Sequence, residues 1–172
     1  LIVSGIEMNQ TLTLKLLDQP EGKSKLLALL QAADLGIADL IMERKPLLPG
    51  VVVSGNAYLE KTGDNVIPNL VKITSYHASD TGEKVGFDME EESHGTQILF
   101  RTAGAWLNVL ANGEVLLVDE IDTSLHPHMT RFLVGLFHSK DTNPKNAQLI
   151  FTTHDTSLLG PEIFRRDQVW FV

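Results

Sequence analysis

The sequence contains no cysteine among its 172 residues, which excludes disulfide bonds and zinc sites built on thiolates. It has no apolar run long enough to span a membrane and no stretch with the pattern of a signal peptide. Basic residues are fewer than acidic ones, 14 against 22, giving a formal net charge of −8. A surface this acidic argues against nucleic-acid binding by this segment alone, because the phosphate backbone is also negatively charged. We predict a cytoplasmic protein without a membrane partner.

The sequence begins with leucine and ends with valine, and both residues lie inside apolar runs. We therefore expect this stretch to be a piece of a longer protein. Hydrophobic residues make up 43% of it and charged residues 21%, as in an ordinary folded domain.

The first half of the sequence mixes alternating segments with segments rich in proline and glycine. We predict a strand or edge element at residues 11–17, a helix at 23–38, a loop from 43 to 69, and a hairpin of strands 71–77 and 84–89 around a turn at 79–83. This half is therefore expected to be partly β.

The second half alternates strands with helices. We predict a helix at residues 96–111, a strand at 115–118, a helix at 127–138 with proline at its start, a strand at 147–153, a short helix at 156–164 and a last strand at 168–172. The wholly apolar run 115–118 suits a strand that is buried on both faces of a parallel sheet, and we predict a second buried strand at 147–153. The pattern predicts an α/β fold.

Two acids, Asp119 and Glu120, directly follow the apolar run 115–118. This places them at the carboxyl edge of a parallel sheet, where ligands of such folds bind. In ATPases with a phosphate-binding loop, the first acid holds magnesium and the second orients and deprotonates the attacking water. The simpler alternative is a strand that ends on a solvated turn.

Ser93 and Gly95 directly precede the helix predicted at 96–111, and Thr96 begins it. Backbone N–H groups at a helix start point at anions, and Gly95 lets the backbone approach a ligand closely. The simpler alternative is N-capping by Ser93 or Thr96.

His154 directly follows the buried strand predicted at 147–153. A neutral imidazole there can hydrogen-bond a γ-phosphate and an attacking water, although a lone histidine at a strand end is more often structural. The next residue, Asp155, has a simpler interpretation as the cap of the following short helix.

In this order the segments resemble the motifs of ABC-type ATPases. Residues 92–97 are similar to the signature loop, usually Ser-Gly-Gly-Gln, although His94 and Thr96 depart from it. Residues 115–120 resemble the Walker B strand, residues 121–127 the D-loop, and His154 the switch histidine. His126 stands where the D-loop usually has aspartate. His126 and His128 could together bind a metal ion, but a loop followed by a helix start is the simpler explanation of the two residues.

The sequences of residues 119–127 and 151–159 resemble those of prokaryotic SMC- and RecF-like ABC ATPases encoded in defence loci, including RloA-like and OLD-like proteins. The resemblance covers residues 85–172 and implies the C-terminal part of an ABC ATPase domain with a parallel-sheet core. Residues 1–84 would then be an inserted or lid-like region ahead of the signature.

The resemblance implies ATP and Mg²⁺ as cofactors. Asp119 would support the metal, Glu120 would be the general base, and His154 would sense the γ-phosphate. The implied nucleotide contacts are Ser93, Gly95, Thr96 and Asp122. Two copies would form a homo-oligomer by sandwiching ATP, coupled to an effector such as a nuclease or toxin, with nucleic acid left open as a ligand of regions outside this stretch.

Two other functions stay open. One is a scaffold that binds ATP without hydrolysing it, although the intact set of two acids and a histidine favours turnover. The other is the nucleotide-binding subunit of a membrane transporter. Glu92 argues against it, because the signature usually has leucine at that position.

A phosphate-binding loop of the form G-x-x-x-x-G-K-[ST] is missing. Residues 17–24 end in Gly-Lys-Ser, but Leu17 replaces the first glycine and Pro20 removes a backbone N–H. We therefore expect the true Walker A loop upstream of Leu1, and we expect the isolated segment to be inactive without it.

Overall fold

The computed structural model describes residues 2–3, 10–46, 58–60, 69–79, 82–123 and 125–171. Its elements in chain order are β1 (Ile2–Val3), α1 (Thr11–Leu17), α2 (Pro20–Ala32), β2 (Ile37–Pro46), β3 (Tyr58–Glu60), β4 (Asn69–Ala78), β5 (Lys84–Asp88), α3 (His94–Asn112), β6 (Val115–Val118), α4 (Pro127–His138) and β7 (Gln148–Phe151). Short 3₁₀ turns lie at Met89–Glu91, Thr156–Leu159 and Arg166–Gln168. No helix in this part of the chain is long and apolar enough to cross a membrane.

The chain forms two compact units. Residues 9–104 make one unit, and residues 105–172 with β1 make the other. The predicted division between residues 84 and 85 was based on the resemblance of motifs, and it does not coincide with the boundary between these packing units. It stays a prediction.

The unit of residues 9–104 contains an antiparallel sheet in which β4 pairs with β2, β3 and β5. Ser75 on β4 lies opposite Leu40 on β2 and Phe87 on β5. The hairpin predicted around residues 79–83 is therefore confirmed. Among the buried side chains, Leu26 and Leu30 of α2 are completely shielded from solvent.

The unit of residues 105–172 contains a parallel sheet of order β1–β6–β7. Leu117 on β6 lies opposite Ile150 on β7. One face of β6 is buried through Leu116 and Val118, which alternate with the more exposed Val115 and Leu117. The observed sheet confirms the α/β class and the parallel pairing.

The expectation that both strands are buried on both faces is wrong. Ile150 is 55% exposed and Val115 is 39% exposed. An apolar strand sequence shows that its side chains favour burial. It does not show whether residues of the same stretch of chain pack over both faces of the strand.

The strand predicted at residues 11–17 is also wrong, because α1 occupies those positions. The alternating threonines and leucines suggested a strand, but Thr13 is buried and its hydroxyl accepts a hydrogen bond from the Gly104 N–H (2.9 Å). The same hydroxyl donates to the Arg101 carbonyl (3.2 Å). Tertiary contacts of this kind override local strand preference.

Other boundaries differ from the prediction. The helix predicted at 23–38 ends at Ala32, and Gly36, with φ of 67°, precedes β2. The loop predicted at 43–69 includes the end of β2 and β3, while residues 47–57 and 61–68 lie outside the described residues. The helix predicted at 156–164 is only a 3₁₀ turn, and the strand predicted at 168–172 is not formed by residues 168–171.

Candidate functional site

Strands β6 and β7 end side by side, so the residues that follow them emerge from the same edge of the sheet. Val118 lies opposite Phe151, and the Thr152 N–H donates to the Val118 carbonyl (3.0 Å). The Ile121 N–H donates to the Thr152 carbonyl (3.0 Å). This register brings the segments that hold Glu120 and His154 together at the carboxyl edge, where ligands of parallel sheets bind.

The hydroxyl of Thr152 connects the two predicted acids. It donates to Oδ1 of Asp119 at 2.6 Å and accepts from the Glu120 N–H at 2.8 Å. Sequence reasoning missed Thr152. The sequence signal that could have indicated it is the pair Thr152 and Thr153, which follows β7, the neighbour of the strand that the two acids follow.

Glu120 has a left-handed backbone, with φ of 50°. This conformation costs a non-glycine residue roughly 1–2 kcal/mol, so the surrounding hydrogen bonds must hold it. Oε2 of Glu120 accepts from the Thr123 hydroxyl at 3.1 Å, and Oε1 lies 3.7 Å from Nε2 of His154. The Glu120 and His154 side chains are 54% and 84% exposed, so both are accessible to a ligand from solvent.

Asp122 connects the turn after β6 to the segment after β7. Its Oδ1 accepts from the Thr153 hydroxyl (2.6 Å) and from the His154 N–H (3.2 Å). The carboxylate predicted to contact nucleotide therefore holds the backbone of His154. Its contact with nucleotide stays a prediction.

Asp155 caps the turn that follows His154, as its simpler interpretation proposed. Its Oδ1 accepts from the Ser157 N–H at 2.8 Å. Hydrogen bonds from Ser157, aided by the charge of Arg131, hold the pKa of Asp155 below its ordinary value. Arg131 on α4 also donates to the Ser157 carbonyl at 2.6 Å, which fixes the turn beside the histidine.

The signature-like segment, residues 92–97, belongs to the unit of residues 9–104. The Ser93 hydroxyl accepts from the Thr96 N–H at 3.2 Å and lies 2.8 Å from the Thr96 hydroxyl. Ser93 therefore caps α3, which begins two residues earlier than predicted. Thr96 is buried and Gly95 is half-buried. Capping is compatible with anion binding, because the N–H groups of the first turn have no partner within the helix.

Residues 6–160 match the model of the family described as "AAA domain, putative AbiEii toxin, Type IV TA system". The chain belongs to this AAA-domain family. Membership indicates nucleotide binding and hydrolysis, in agreement with the ATPase class and the ATP cofactor predicted above. No curated protein matches the chain.

Residues 17–24, which end in Gly-Lys-Ser, comprise the end of α1, a two-residue link and the start of α2, so they do not form the longer loop that cradles phosphate. Nζ of Lys23 lies 2.7 Å from Oδ1 of Asp39, and this hydrogen-bonded pairing lowers the pKa of Asp39. A side chain at Gly22 would place its Cβ 2.4 Å from the Leu16 carbonyl oxygen. The glycine serves the close approach of α1 and α2.

His126 and His128 form the start of α4. Nδ1 of His126 accepts from the His128 N–H at 3.3 Å, and the two rings stack with centroids 5.2 Å apart. Within the ranges that the structure describes, no group of three or more histidine or acidic residues is arranged to hold a metal ion. The alternative of a histidine metal site therefore has no support.

Asp119 fits magnesium as a single ligand. Mg²⁺ keeps several waters and is commonly bound through one or two carboxylates together with substrate phosphates. Asp119 is exposed, and Thr152 occupies one lone pair of a carboxylate that offers about four acceptor positions. The remaining positions suit a metal-bound water.

Proposed function

We propose that this AAA domain hydrolyses Mg·ATP at the carboxyl edge of β6 and β7. The observation that carries the proposal is the connected group of Asp119, Glu120 and His154, held by Thr152 and Asp122. It supplies a metal-supporting acid, a second acid that is exposed to solvent and an imidazole within one small region.

Glu120 is the proposed general base. An exposed carboxylate held by a strained backbone can face the water that attacks the γ-phosphate and accept its proton. The ring of His154 would donate a hydrogen bond to the γ-phosphate, and the backbone N–H of His154 is held by Asp122. The carboxylate of Asp119 would hold a metal-bound water, and Mg²⁺ when bound would neutralise charge on the phosphate oxygens.

We propose further that two copies associate around ATP in the manner of SMC-like ATPases. Ser93, Gly95 and Thr96 of one copy would contact the nucleotide held by the other copy. Asp122 would also contact nucleotide, and a phosphate-binding loop would come from outside residues 1–172. The support is the capped start of α3, whose first N–H groups point along the helix axis. ATP then joins the copies, and hydrolysis releases them.

The output proposed for this cycle is the control of an effector in phage defence, with a nuclease or a toxin as the partner class. The support is the description of the family, which names a toxin and a toxin–antitoxin system. Nucleic acid would be contacted through regions outside this stretch, since the stretch itself has a net charge of −8.

The test is steady-state phosphate release by the complete protein carrying Glu120→Gln. We expect turnover to fall at least about 100-fold, because general-base catalysis contributes roughly 10²–10⁴-fold, while ATP binding persists. Glu114→Gln, at the other end of the same strand, is the matched control and should keep turnover. Unchanged turnover in Glu120→Gln would remove Glu120 from the chemistry. If neither the wild-type protein nor the variants release phosphate while all bind ATP, the domain is a non-hydrolysing scaffold.

A further inference from the structure

Glu92 is an acid whose side chain is only 11% exposed, directly ahead of the capping residue Ser93. In ordinary signature loops this position is leucine, an apolar residue that needs no partner. A carboxylate with so little contact with water is costly unless donors surround it. The donors of Glu92 come from the antiparallel sheet.

Two residues of β4 supply these donors. The hydroxyl of Ser75, which is fully buried, contacts Oε1 of Glu92, and Nε2 of His77 lies 2.6 Å from the same oxygen. Ser75 and His77 are two positions apart, so their side chains share one face of the strand. Hydrogen bonds to an ionised acceptor are roughly twice as strong as neutral ones. Glu92 therefore fixes the signature-like segment to the centre of the sheet.

The His77 ring is itself held in place. Phe87 on β5 packs edge-on against it, with ring centroids 5.5 Å apart. This edge-on contact restrains the orientation of the ring that faces Glu92.

The main chain of the segment is fixed from the helix side. Nε2 of Gln97 donates to the carbonyls of Glu92 (2.9 Å) and Glu90 (3.0 Å). The side chain of Glu92 is tied to β4 while its backbone is tied to α3. A shift of the sheet therefore displaces Ser93, the next residue, along with it.

We propose that Glu92 is a positioning residue through which the β4 sheet sets the placement of the loop formed by Ser93 and Gly95. The proposal rests on the proposed function, in which this loop contacts the ATP of the partner copy. Loss of the contact with Ser75 and His77 would impair hydrolysis in the partner's site and leave the Asp119–Glu120 edge of the same chain intact.

This separation between chains makes the proposal testable by mixing two variants of the complete protein. Glu92→Leu, which restores the usual apolar residue, should reduce ATPase activity at least about tenfold, the effect of misplacing a contacting group. Mixed with Glu120→Gln at equal concentration, it should recover about a quarter of wild-type activity by random pairing of copies in two-fold dimers. Each mixed dimer then has one site with an intact Glu120 and an intact opposing segment.

A mixture of Ser93→Ala and Glu120→Gln is the control for the sandwich itself. If this control recovers activity and the Glu92→Leu mixture does not, the role of Glu92 is overturned while the proposed function stands. If neither mixture recovers, the two-copy arrangement fails. Wild-type activity in Glu92→Leu alone would also overturn the proposal. Should Glu92→Leu not fold, His77→Phe removes the donor from the other side, and the same outcomes apply to it.

Discussion

Thr152 shows how one hydroxyl can serve two acids at the carboxyl edge of the parallel sheet. It uses its proton for Asp119 and its lone pair for the Glu120 N–H. The two bonds fix the direction of the Asp119 carboxylate and stabilise the left-handed backbone of Glu120 at once. Removing the hydroxyl therefore disturbs both predicted functional acids.

We predict that Thr152→Val lowers kcat by about 10- to 100-fold, because the loss of a hydrogen bond to a charged group costs roughly 1.5–3 kcal/mol. The Mg²⁺ concentration for half-maximal activity should rise, since Asp119 loses its orienting donor. Phosphate release measured across a magnesium titration reports both values.

Thr152→Ser is the matched control because it keeps the hydroxyl, and it should remain close to wild type in both values. If Thr152→Val has an unchanged magnesium dependence, Thr152 does not position Asp119.

At this scale the sequence could predict residue types but not their connections. Asp119, Glu120 and His154 can be proposed as site residues from the sequence, because their types and order resemble those of ATPases. The link through Thr152, and the use of Asp122 to hold the His154 N–H, depend on the register between β6 and β7. Local sequence patterns do not specify pairing between strands that are distant along the chain.

Among the helices, α1 and α3 approach closely at Gly104. A Cβ at Gly104 would lie 2.3 Å from the Thr13 backbone nitrogen and 2.6 Å from the Leu12 carbonyl carbon. Both of these are backbone atoms, which cannot move aside without displacing α1. The glycine is therefore required by the packing of the unit of residues 9–104.

We predict that Gly104→Ala lowers the free energy of unfolding by about 1–3 kcal/mol or more, the usual effect of overpacking a core. Gly135→Ala in α4 is the opposite case, because nothing lies within 4 Å of the added Cβ. That change should raise stability by roughly 0.5–1 kcal/mol through helix propensity. Urea unfolding of the three proteins compares these values, and equal midpoints would contradict the packing.

Elements with clear punctuation were predicted well, and elements defined by long-range pairing were not. Strand β6 follows Gly113, and α4 begins at Pro127, and both have their predicted bounds. The polar end of β2 reads as a loop, yet it pairs with β4 through Met42 opposite Ile73 and continues to Pro46. The strand exists because of its partner.

For the whole chain, the α/β class and the ATPase family could be reached from the sequence, since alternating elements and ordered motifs carry both. The division into packing units could not. Residues 9–104 form a unit because α1 packs against the middle of α3, where Thr13 bonds to Arg101, 88 positions further along the chain. Such contacts leave no periodic signal along the sequence.

The most direct measurement of the central claim is the identity of the nucleotide that stays bound to the complete protein after incubation with Mg·ATP. In Glu120→Gln we predict that the bound nucleotide is ATP, because binding persists while the general base is missing. Wild-type protein treated in the same way should hold ADP or no nucleotide. Recovery of ADP from Glu120→Gln in the wild-type amount would contradict the assignment of Glu120 and of the site built around it.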